Sequence, residues 1–154
     1  MRKVITFVCL GNICRSPIAE LVFRNMVKQT KTVNQYVIQS AGTSGWNDGQ
    51  KIHEGSKRIL AVHNIDSSKF VSKKITQQMF DESDLVLVMD DKNLQDVRRM
   101  FGSNAKIQKL TKYCILQKYD IVPDPWYTNN FELTYDIIND ALINLFNLLE
   151  KDAI

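Results

Sequence analysis

Cys9 and Arg15 are a pair of side chains that could perform phosphoryl chemistry, because five residues separate them and Ser16-Pro17 follows directly. The apolar run before Cys9 predicts a strand, and Ser16-Pro17 predicts a helix start. The segment between them thus lies at a helix N-terminus, where free backbone N–H groups and the helix dipole attract anions. A loop of this length can curl so that its amides converge on one tetrahedral dianion. The same field stabilises a thiolate at Cys9, and the planar guanidinium of Arg15 matches two phosphate oxygens.

The residue types within the segment suit such a loop. Gly11 permits the backbone angles of a tight turn, and Asn12 tolerates left-handed conformations better than most residues. Ser16 can donate its hydroxyl to the Cys9 sulfur and ease its later departure as a leaving group. A buried cysteine is often only a small hydrophobic residue, but the combined pattern favours a nucleophile. The residues expected to surround the phosphate are Leu10, Gly11, Asn12, Ile13 and Cys14.

Strand and helix patterns alternate along the chain. Apolar runs predict strands over residues 4–8, 36–38 and 85–88, and residues 105–110 are a weaker candidate for a fourth strand. Helical periodicity predicts a first helix with Ser16 as its N-cap, further helices over about 54–63 and 93–100, the latter capped by Asp90, and a last one over about 131–151. This alternation predicts one three-layer α/β domain over residues 1–154, with a four-stranded parallel sheet flanked by helices on both faces. Ligands of such sheets bind at the carboxyl ends of the strands, where the loop after Cys9 lies.

The composition is that of an ordinary globular protein, with 44% hydrophobic and 24% charged residues among 154. The formal net charge is only +3, so no basic face for nucleic acid is expected. No apolar stretch approaches the roughly 18 residues of a membrane span, and no apolar surface stripe is left over to form a dimer. The three cysteines are too few for a disulfide framework and suit a reducing compartment. We therefore expect a monomer with no nucleic-acid or membrane partner, located in the cytoplasm, with export that needs no signal segment as the alternative.

Four segments of the sequence resemble the low-molecular-weight protein tyrosine phosphatases, in the order and near the spacing of that family. They are residues 8–17, 40–46 (Ser-Ala-Gly-Thr-Ser-Gly-Trp), 84–93 and 123–127 (Pro-Asp-Pro-Trp-Tyr). The resemblance implies a flavodoxin-like or Rossmann-like phosphatase fold. It also implies hydrolysis of protein phosphotyrosine through a phosphocysteine intermediate, with no metal and no cofactor. The expected partners are tyrosine-phosphorylated proteins, and inorganic phosphate or other oxyanions would bind in the active site.

The resemblance assigns roles to residues outside the loop. Asp124 would protonate the leaving tyrosine oxygen and then activate water, although an aspartate between two prolines is by itself more typical of a turn. Trp46 on one side, and Trp126 with Tyr127 on the other, would form aromatic walls around the substrate ring. The family more often carries tyrosine at the position of Trp126.

Asn12 and Ser40 belong, by the same resemblance, to a hydrogen-bond network that holds the phosphate loop open. The family often adds a histidine near the position of Lys69 or Phe70, and this chain has none there. The outer part of the network is therefore expected to differ in this chain.

The remaining cysteines and the two histidines give weaker indications of function. The resemblance implies that Cys14 can form a reversible disulfide with Cys9, and Cys114 is expected to be an inert core residue. His53 and His63 are expected on the surface or on helices, without a catalytic role. Two cysteines and scattered histidines do not match the spacing of zinc ligands, so no metal site is predicted.

Three other functions are considered. An arsenate reductase of the same fold would relay oxidation through further cysteines, of which only Cys114 lies outside the loop. Related phosphoarginine phosphatases place threonine where this chain has Ile13, and Ile13 favours an aryl phosphate. A non-catalytic phosphotyrosine-binding module would have no use for the nucleophile Cys9 and the acid Asp124. The sequence favours the tyrosine phosphatase.

Overall fold

Four parallel strands form the central sheet of the computed structural model, which describes residues 2–154. The strands are β1 (Lys3–Cys9), β2 (Tyr36–Gly42), β3 (Leu85–Val88) and β4 (Ile107–Lys109). They lie in the order β2-β1-β3-β4, which is the flavodoxin-like order that the resemblance implies. Met1, the first residue of the predicted domain, lies outside the described residues.

Helices cover both faces of the sheet. Within residues 2–154 they are α1 (Arg15–Lys28), α2 (Glu54–Val62), α3 (Gln77–Glu82), α4 (Asp91–Phe101), α5 (Pro125–Thr128) and α6 (Phe131–Glu150). Helices α1, α2 and α6 pack on the face that carries Phe7 and Leu87. Helices α3 and α4 pack on the opposite face, which carries Val8 and Val88. The predicted three-layer arrangement is confirmed, and no helix among the described residues is long and apolar enough to cross a membrane.

The alternation of side chains along β1 decides which way Cys9 faces. Side chains two residues apart share one face of a strand, and Ile5, Phe7 and Cys9 belong to the same core cluster as Phe23 of α1. Phe7 and Phe23 meet edge to face, with ring centroids 5.9 Å apart. Cys9 therefore ends its strand on the α1 side of the sheet, at the carboxyl edge where the strand order reverses.

The start of α1 differs from the prediction. Helix α1 begins at Arg15 with Cys14 as its N-cap and no side-chain cap, so the prediction of Ser16 as N-cap is wrong. Ser16 is the second helical residue, and its hydroxyl bonds within the candidate site described below. The predicted cap Asp90 is confirmed, because its Oδ1 accepts a hydrogen bond from the N–H of Asn93 at 2.7 Å.

Two short helices have no counterpart in the prediction. Helix α3 has 6 residues, is capped by Thr76 and buries only Phe80. Helix α5 is a single turn, capped by Asp124. Helices this short bury too few side chains to produce a helical periodicity in the sequence. Strand β2 also continues past the predicted end at residue 38, because its small residues pair with β1 as far as Gly42.

Candidate active site

A cleft at the carboxyl edge of the sheet is lined by ten of the thirteen residues that the sequence predicts for the site. The lining residues are Cys9, Leu10, Gly11, Ile13, Cys14, Arg15, Ser44, Trp46, Asn47, Asp124, Trp126 and Tyr127. The cleft has a volume of about 250 Å³. The other three predicted residues, Asn12, Ser16 and Ser40, are fully buried behind the loop. Ser44 and Asn47 are the lining residues that the sequence analysis missed.

The backbone carbonyls of the loop are held from outside the loop. Five of them accept hydrogen bonds: Cys9 from the N–H of Thr43 (2.9 Å), Leu10 from the N–H of Ser44 (3.0 Å), Asn12 from the hydroxyl of Ser72 (2.6 Å), Ile13 from the N–H of His53 (2.9 Å) and Cys14 from the hydroxyl of Ser56 (3.1 Å). The C=O and N–H groups of a trans peptide point in opposite directions. Each of these bonds therefore turns the next N–H toward the interior of the loop. The N–H groups turned inward belong to Leu10, Gly11, Ile13, Cys14 and Arg15, and converging amides of this kind bind anions.

Asn12 occupies the left-handed region expected for it, with φ 55°. The orientation of its side-chain amide is set by Lys73, because a backbone N–H can only donate and this one contacts Oδ1 at 3.0 Å. Nδ2 therefore donates to the hydroxyls of Ser16 (2.8 Å) and Ser40 (2.9 Å). Ser40 donates in turn to the carboxylate of Glu20 at 2.6 Å. The two residues predicted for a network are thus directly hydrogen-bonded.

The hydroxyl of Ser16 lies 3.0 Å from the sulfur of Cys9. Because Asn12 donates to the same hydroxyl oxygen, the hydroxyl hydrogen of Ser16 is free to point at the sulfur. Cys9 is 2% exposed and Ser16 is fully buried, so little water competes for this contact. A donor in this position can hydrogen-bond to negative charge that forms on the sulfur during a reaction.

Arg15 is held by one half of its guanidinium group. Nη1 lies 2.6 Å from the Asp90 carboxylate and 2.9 Å from the carbonyl of Val122, so both of its hydrogens are used. Nη2 makes only a 3.4 Å contact with Asp124, which leaves the edge formed by Nε and Nη2 able to bind a ligand. Burial disfavours the charge of Arg15, but attraction to Cys9, Asp90 and Asp124 outweighs it and raises the pKa of the guanidinium.

Asp124 is positioned by the single helical turn that follows it. Its Oδ1 accepts a hydrogen bond from the N–H of Trp126 at 3.0 Å, and its Oδ2 faces Arg15. Its side chain is 22% exposed and lines the cleft, so a bound molecule can reach the carboxyl group. The capping bond, in addition to the neighbouring prolines, fixes the direction of this carboxyl group.

Three aromatic side chains surround the mouth of the cleft. Trp46 is 83% exposed, Trp126 is 61% exposed and Tyr127 is 81% exposed, although each also lines the cleft. The ring of His53 lies edge to face against Trp126 at 5.6 Å. His53 caps α2 and His63 ends it, and neither lines the cleft. Aromatic rings this exposed around a cleft are typical of a ligand-binding surface.

The reason for a glycine at position 11 differs from the prediction. Gly11 is not in the left-handed region, so the predicted need for special backbone angles is wrong. A Cβ atom at this position would collide with Nδ2 of Asn47. Gly42 is constrained more strictly, since its Cβ would lie 2.8 Å from the backbone carbonyl oxygen of Leu10, whereas the end of the Asn47 side chain can move away from a Cβ at position 11. Both glycines allow close packing of the loop against β2 and the segment that follows.

Several groups that support the loop were missed. Asp90 has a detectable signal, because it comes two residues after the end of the buried strand β3 and so must lie near the same edge of the sheet. No such signal marks the other supporting groups, since none of them has a distinguishing spacing in the sequence. They are Glu20, Ser56, Ser72 and the N–H of Lys73.

The three cysteines are free thiols in different surroundings. Burial, with the nearby charges of Cys9 and Asp124, raises the pKa of Cys14 to about 12, so this residue is a neutral thiol at physiological pH. Cys114 packs against the core, as expected, but is only half-buried, and burial raises the pKa of its thiol to about 11. The disulfide between Cys9 and Cys14 stays a prediction.

The sequence matches the family model described as low molecular weight phosphotyrosine protein phosphatase over residues 4–154. It is 38% identical over 151 residues to the low molecular weight protein-tyrosine-phosphatase PtpA of Staphylococcus aureus. That alignment covers 97% of this chain and 95% of the relative.

The fold is similar to several solved structures. YfkJ from Bacillus subtilis has a TM-score of 0.94 at 33% identity, with 99% of this chain and 97% of that chain covered. A protein tyrosine phosphatase from Entamoeba histolytica, solved with Hepes in its active site, has a TM-score of 0.93 at 29% identity, with 99% of both chains covered. A Drosophila arginine phosphatase has a TM-score of 0.83 at 28% identity, with 94% of this chain and 96% of that chain covered.

Proposed function

Because the chain belongs to the low molecular weight phosphotyrosine protein phosphatase family, we propose that it hydrolyses phosphotyrosine in proteins to tyrosine and inorganic phosphate, with Cys9 as the nucleophile. The position of the Cys9 sulfur carries this proposal. The sulfur lies 3.0 Å from the hydroxyl of Ser16, beside a loop whose amides are turned inward. A thiolate beside a preformed anion site is placed to attack a bound phosphate.

The phosphate group binds to the inward amides and to Arg15. The Nε and Nη2 edge of the guanidinium can pair with two phosphate oxygens while Asp90 and Val122 keep Nη1 in place. Fixed backbone dipoles and one guanidinium supply the charge stabilisation, so no step requires a metal ion or a cofactor. Inorganic phosphate and other tetrahedral oxyanions are expected to compete for the same site.

In the first chemical step, the Cys9 thiolate attacks phosphorus while the bond to the tyrosine oxygen breaks. The proton of the Asp124 carboxylic acid moves to that oxygen, which gives neutral tyrosine and a phosphocysteine. The contacts of Asp124 support this role, because its Oδ1 is held by Trp126 and its Oδ2 lies at the cleft near Arg15.

In the second step, water attacks the phosphocysteine. The Asp124 carboxylate takes one proton from the water, the new P–O bond forms, and the electron pair of the S–P bond returns to sulfur. The Ser16 hydroxyl stabilises the departing thiolate at this stage. Inorganic phosphate leaves, and Asp124 is protonated again for the next cycle.

The aromatic walls support an aryl phosphate as the substrate. Trp46, Trp126 and Tyr127 all line the cleft, and a phosphotyrosine ring held between Trp46 on one side and Trp126 with Tyr127 on the other would stack on them. A phosphoserine side chain is too short to reach the thiolate past these rings. Tyrosine-phosphorylated proteins are the expected substrates. We also expect a monomer that acts in the cytoplasm, since three free thiols suit a reducing compartment.

Phosphoarginine is a second candidate substrate, because the fold is also similar to that of a Drosophila arginine phosphatase. Ile13 lines the cleft and presents an apolar side chain to the substrate. An aromatic ring gains more from this contact than a charged phosphoguanidinium group does.

The experiment that tests the proposal measures phosphate release from a phosphotyrosine peptide, a phosphoserine peptide and phosphoarginine in the presence of EDTA. Cys9→Ser is compared with Cys114→Ser, and Asp124→Asn with Asp120→Asn. Asparagine at position 124 can still cap α5 but cannot supply the proton. We expect turnover of phosphotyrosine only, loss of turnover in Cys9→Ser, a large decrease in Asp124→Asn and no effect of the two control changes. Preference for phosphoarginine would replace the substrate assignment, and phosphotyrosine binding without turnover would indicate a recognition module.

A further inference from the structure

Ser72 holds the phosphate loop at its most constrained residue. Its hydroxyl donates to the carbonyl of Asn12 at 2.6 Å, and Ser72 is 2% exposed. Asn12 is the non-glycine residue of the loop with positive φ, and such a conformation persists only where the surroundings enforce it. The bond from Ser72 also turns the following N–H, that of Ile13, toward the cleft.

The backbone next to Ser72 fixes the side chain of the same asparagine. The N–H of Lys73 donates to Oδ1 of Asn12, so Nδ2 must face Ser16 and Ser40. The orientation of the Ser16 hydroxyl toward the nucleophile follows from that contact.

The segment that carries these two donors, residues 72–75, is itself well anchored. Ser72 exchanges backbone hydrogen bonds with the preceding loop, from its N–H to Gln50 (2.8 Å) and from the N–H of Gly49 to its carbonyl (2.9 Å). Gly42 at the end of β2 bonds to the same segment on both sides, through Lys73 and Ile75 at 2.8 Å each. A donor mounted on such a segment can impose a geometry on the loop.

We propose that Ser72 is a positioning residue for the reaction proposed above, and that its hydroxyl holds Asn12, and through it Ser16, in the orientation that activates Cys9. The inference rests on the proposed function. Ser72 thus controls the nucleophile, although it lies 60 residues from Asn12 in the sequence.

The test compares Ser72→Ala with Ser83→Ala, a matched change at a buried serine near the amino-terminal ends of the strands. Ser83 also donates to a backbone carbonyl at 2.6 Å, that of Met79, and is 5% exposed, but it precedes β3 and lies far from the cleft. Ser72→Thr and Ser72→Val form a second pair, with similar shapes and with the hydroxyl present only in threonine. The readouts are kcat and KM for a phosphotyrosine peptide, the rate at which iodoacetate alkylates Cys9, and Tm.

We expect Ser72→Ala and Ser72→Val to lower kcat about tenfold, the effect of losing one buried hydrogen bond to the reacting loop, and to slow alkylation of Cys9. Ser72→Thr should stay closer to the wild type in both kcat and the alkylation rate of Cys9. Ser83→Ala should lower only Tm. Unchanged kcat and alkylation in Ser72→Ala, or equal effects of threonine and valine, would overturn the proposal. Should Ser72→Ala fail to fold, the threonine and valine pair decides. Absence of turnover in the wild type would instead refute the proposed function, while the alkylation rates would still test Ser72.

Discussion

The hydroxyl of Ser16 lies 3.0 Å from the sulfur of Cys9 and accepts a hydrogen bond from Asn12, so its own hydrogen is available to the sulfur alone. This donor favours a step in which negative charge develops on the sulfur, as it does when the phosphocysteine breaks down and the thiolate departs, whereas attack on phosphorus starts from a thiolate and consumes that charge. Ser16 is therefore expected to affect the second chemical step more than the first.

Ser16→Ala removes that donor, and we expect kcat to fall about 10- to 100-fold, the range for a hydrogen bond to a charged group. Rapid-mixing kinetics with an aryl phosphate should show a larger burst of phenol followed by slow turnover, because phosphocysteine accumulates. Ser83→Ala serves as the control and should show the wild-type burst. Loss of the burst together with kcat would mean that Ser16 acts in the first step instead.

Asp90→Asn removes the charge that holds Arg15 at 2.6 Å, while asparagine can still cap α4. We expect kcat/KM for a phosphotyrosine peptide to fall about tenfold and Tm to decrease, because the buried guanidinium loses its partner. Asp91→Asn is the matched control, since Asp91 is exposed and pairs with Lys109 at the surface. Tighter phosphate binding with an unchanged kcat would show that Asp90 merely competes with phosphate for Arg15.

Trp46→Ala removes the most exposed aromatic ring at the cleft. We expect KM for a phosphotyrosine peptide to rise about 3- to 10-fold, the range for losing one aromatic contact. The inhibition constant of inorganic phosphate should not change, because the phosphate loop does not involve this side chain. Equal weakening of both would mean that Trp46 supports the loop and not the substrate ring.

Cys14 makes the protein less stable as the pH rises into the alkaline range. Its pKa is raised from about 9 to about 12 on folding, so between these values the folded state binds a proton that the unfolded state has lost. The stabilisation is fully present below pH 9 and is lost as pH rises toward 12, on the order of 1 kcal/mol per pH unit for this single group.

Urea unfolding of wild type and Cys14→Ala under reducing conditions, at pH 8 to 10.5, checks this dependence. The free energy of unfolding should fall less steeply with pH in the variant, whatever the cost of the deleted thiol at pH 8. Parallel curves would show that the Cys14 thiol ionises as easily in the folded state as in the unfolded state.

The sequence by itself determined the local features of this protein. Apolar runs located β1, β2 and β3, since a strand covered on both faces must be apolar along most of its length, and the weaker pattern over residues 105–110 located β4. The segment from Cys9 to Arg15 predicted an anion-binding loop because cysteine, glycine, asparagine and arginine are close together in the chain, and the left-handed conformation of Asn12 followed from its residue type. Such inferences use only neighbouring residues, so they needed no tertiary structure.

The tertiary structure alone decided what holds that loop in place. Arg15 meets Asp90 across 75 residues of sequence and Asp124 across 109, and Asn12 meets Ser72 across 60. These contacts depend on the order of the strands and on where each connecting segment crosses the edge of the sheet, which short-range patterns do not encode. The wrong assignment of Ser16 as a helix cap has a different, local cause. Serine prefers cap positions, but α1 begins one residue earlier, at Arg15, and the Ser16 hydroxyl lies 3.0 Å from the Cys9 sulfur, the contact that the sequence predicts.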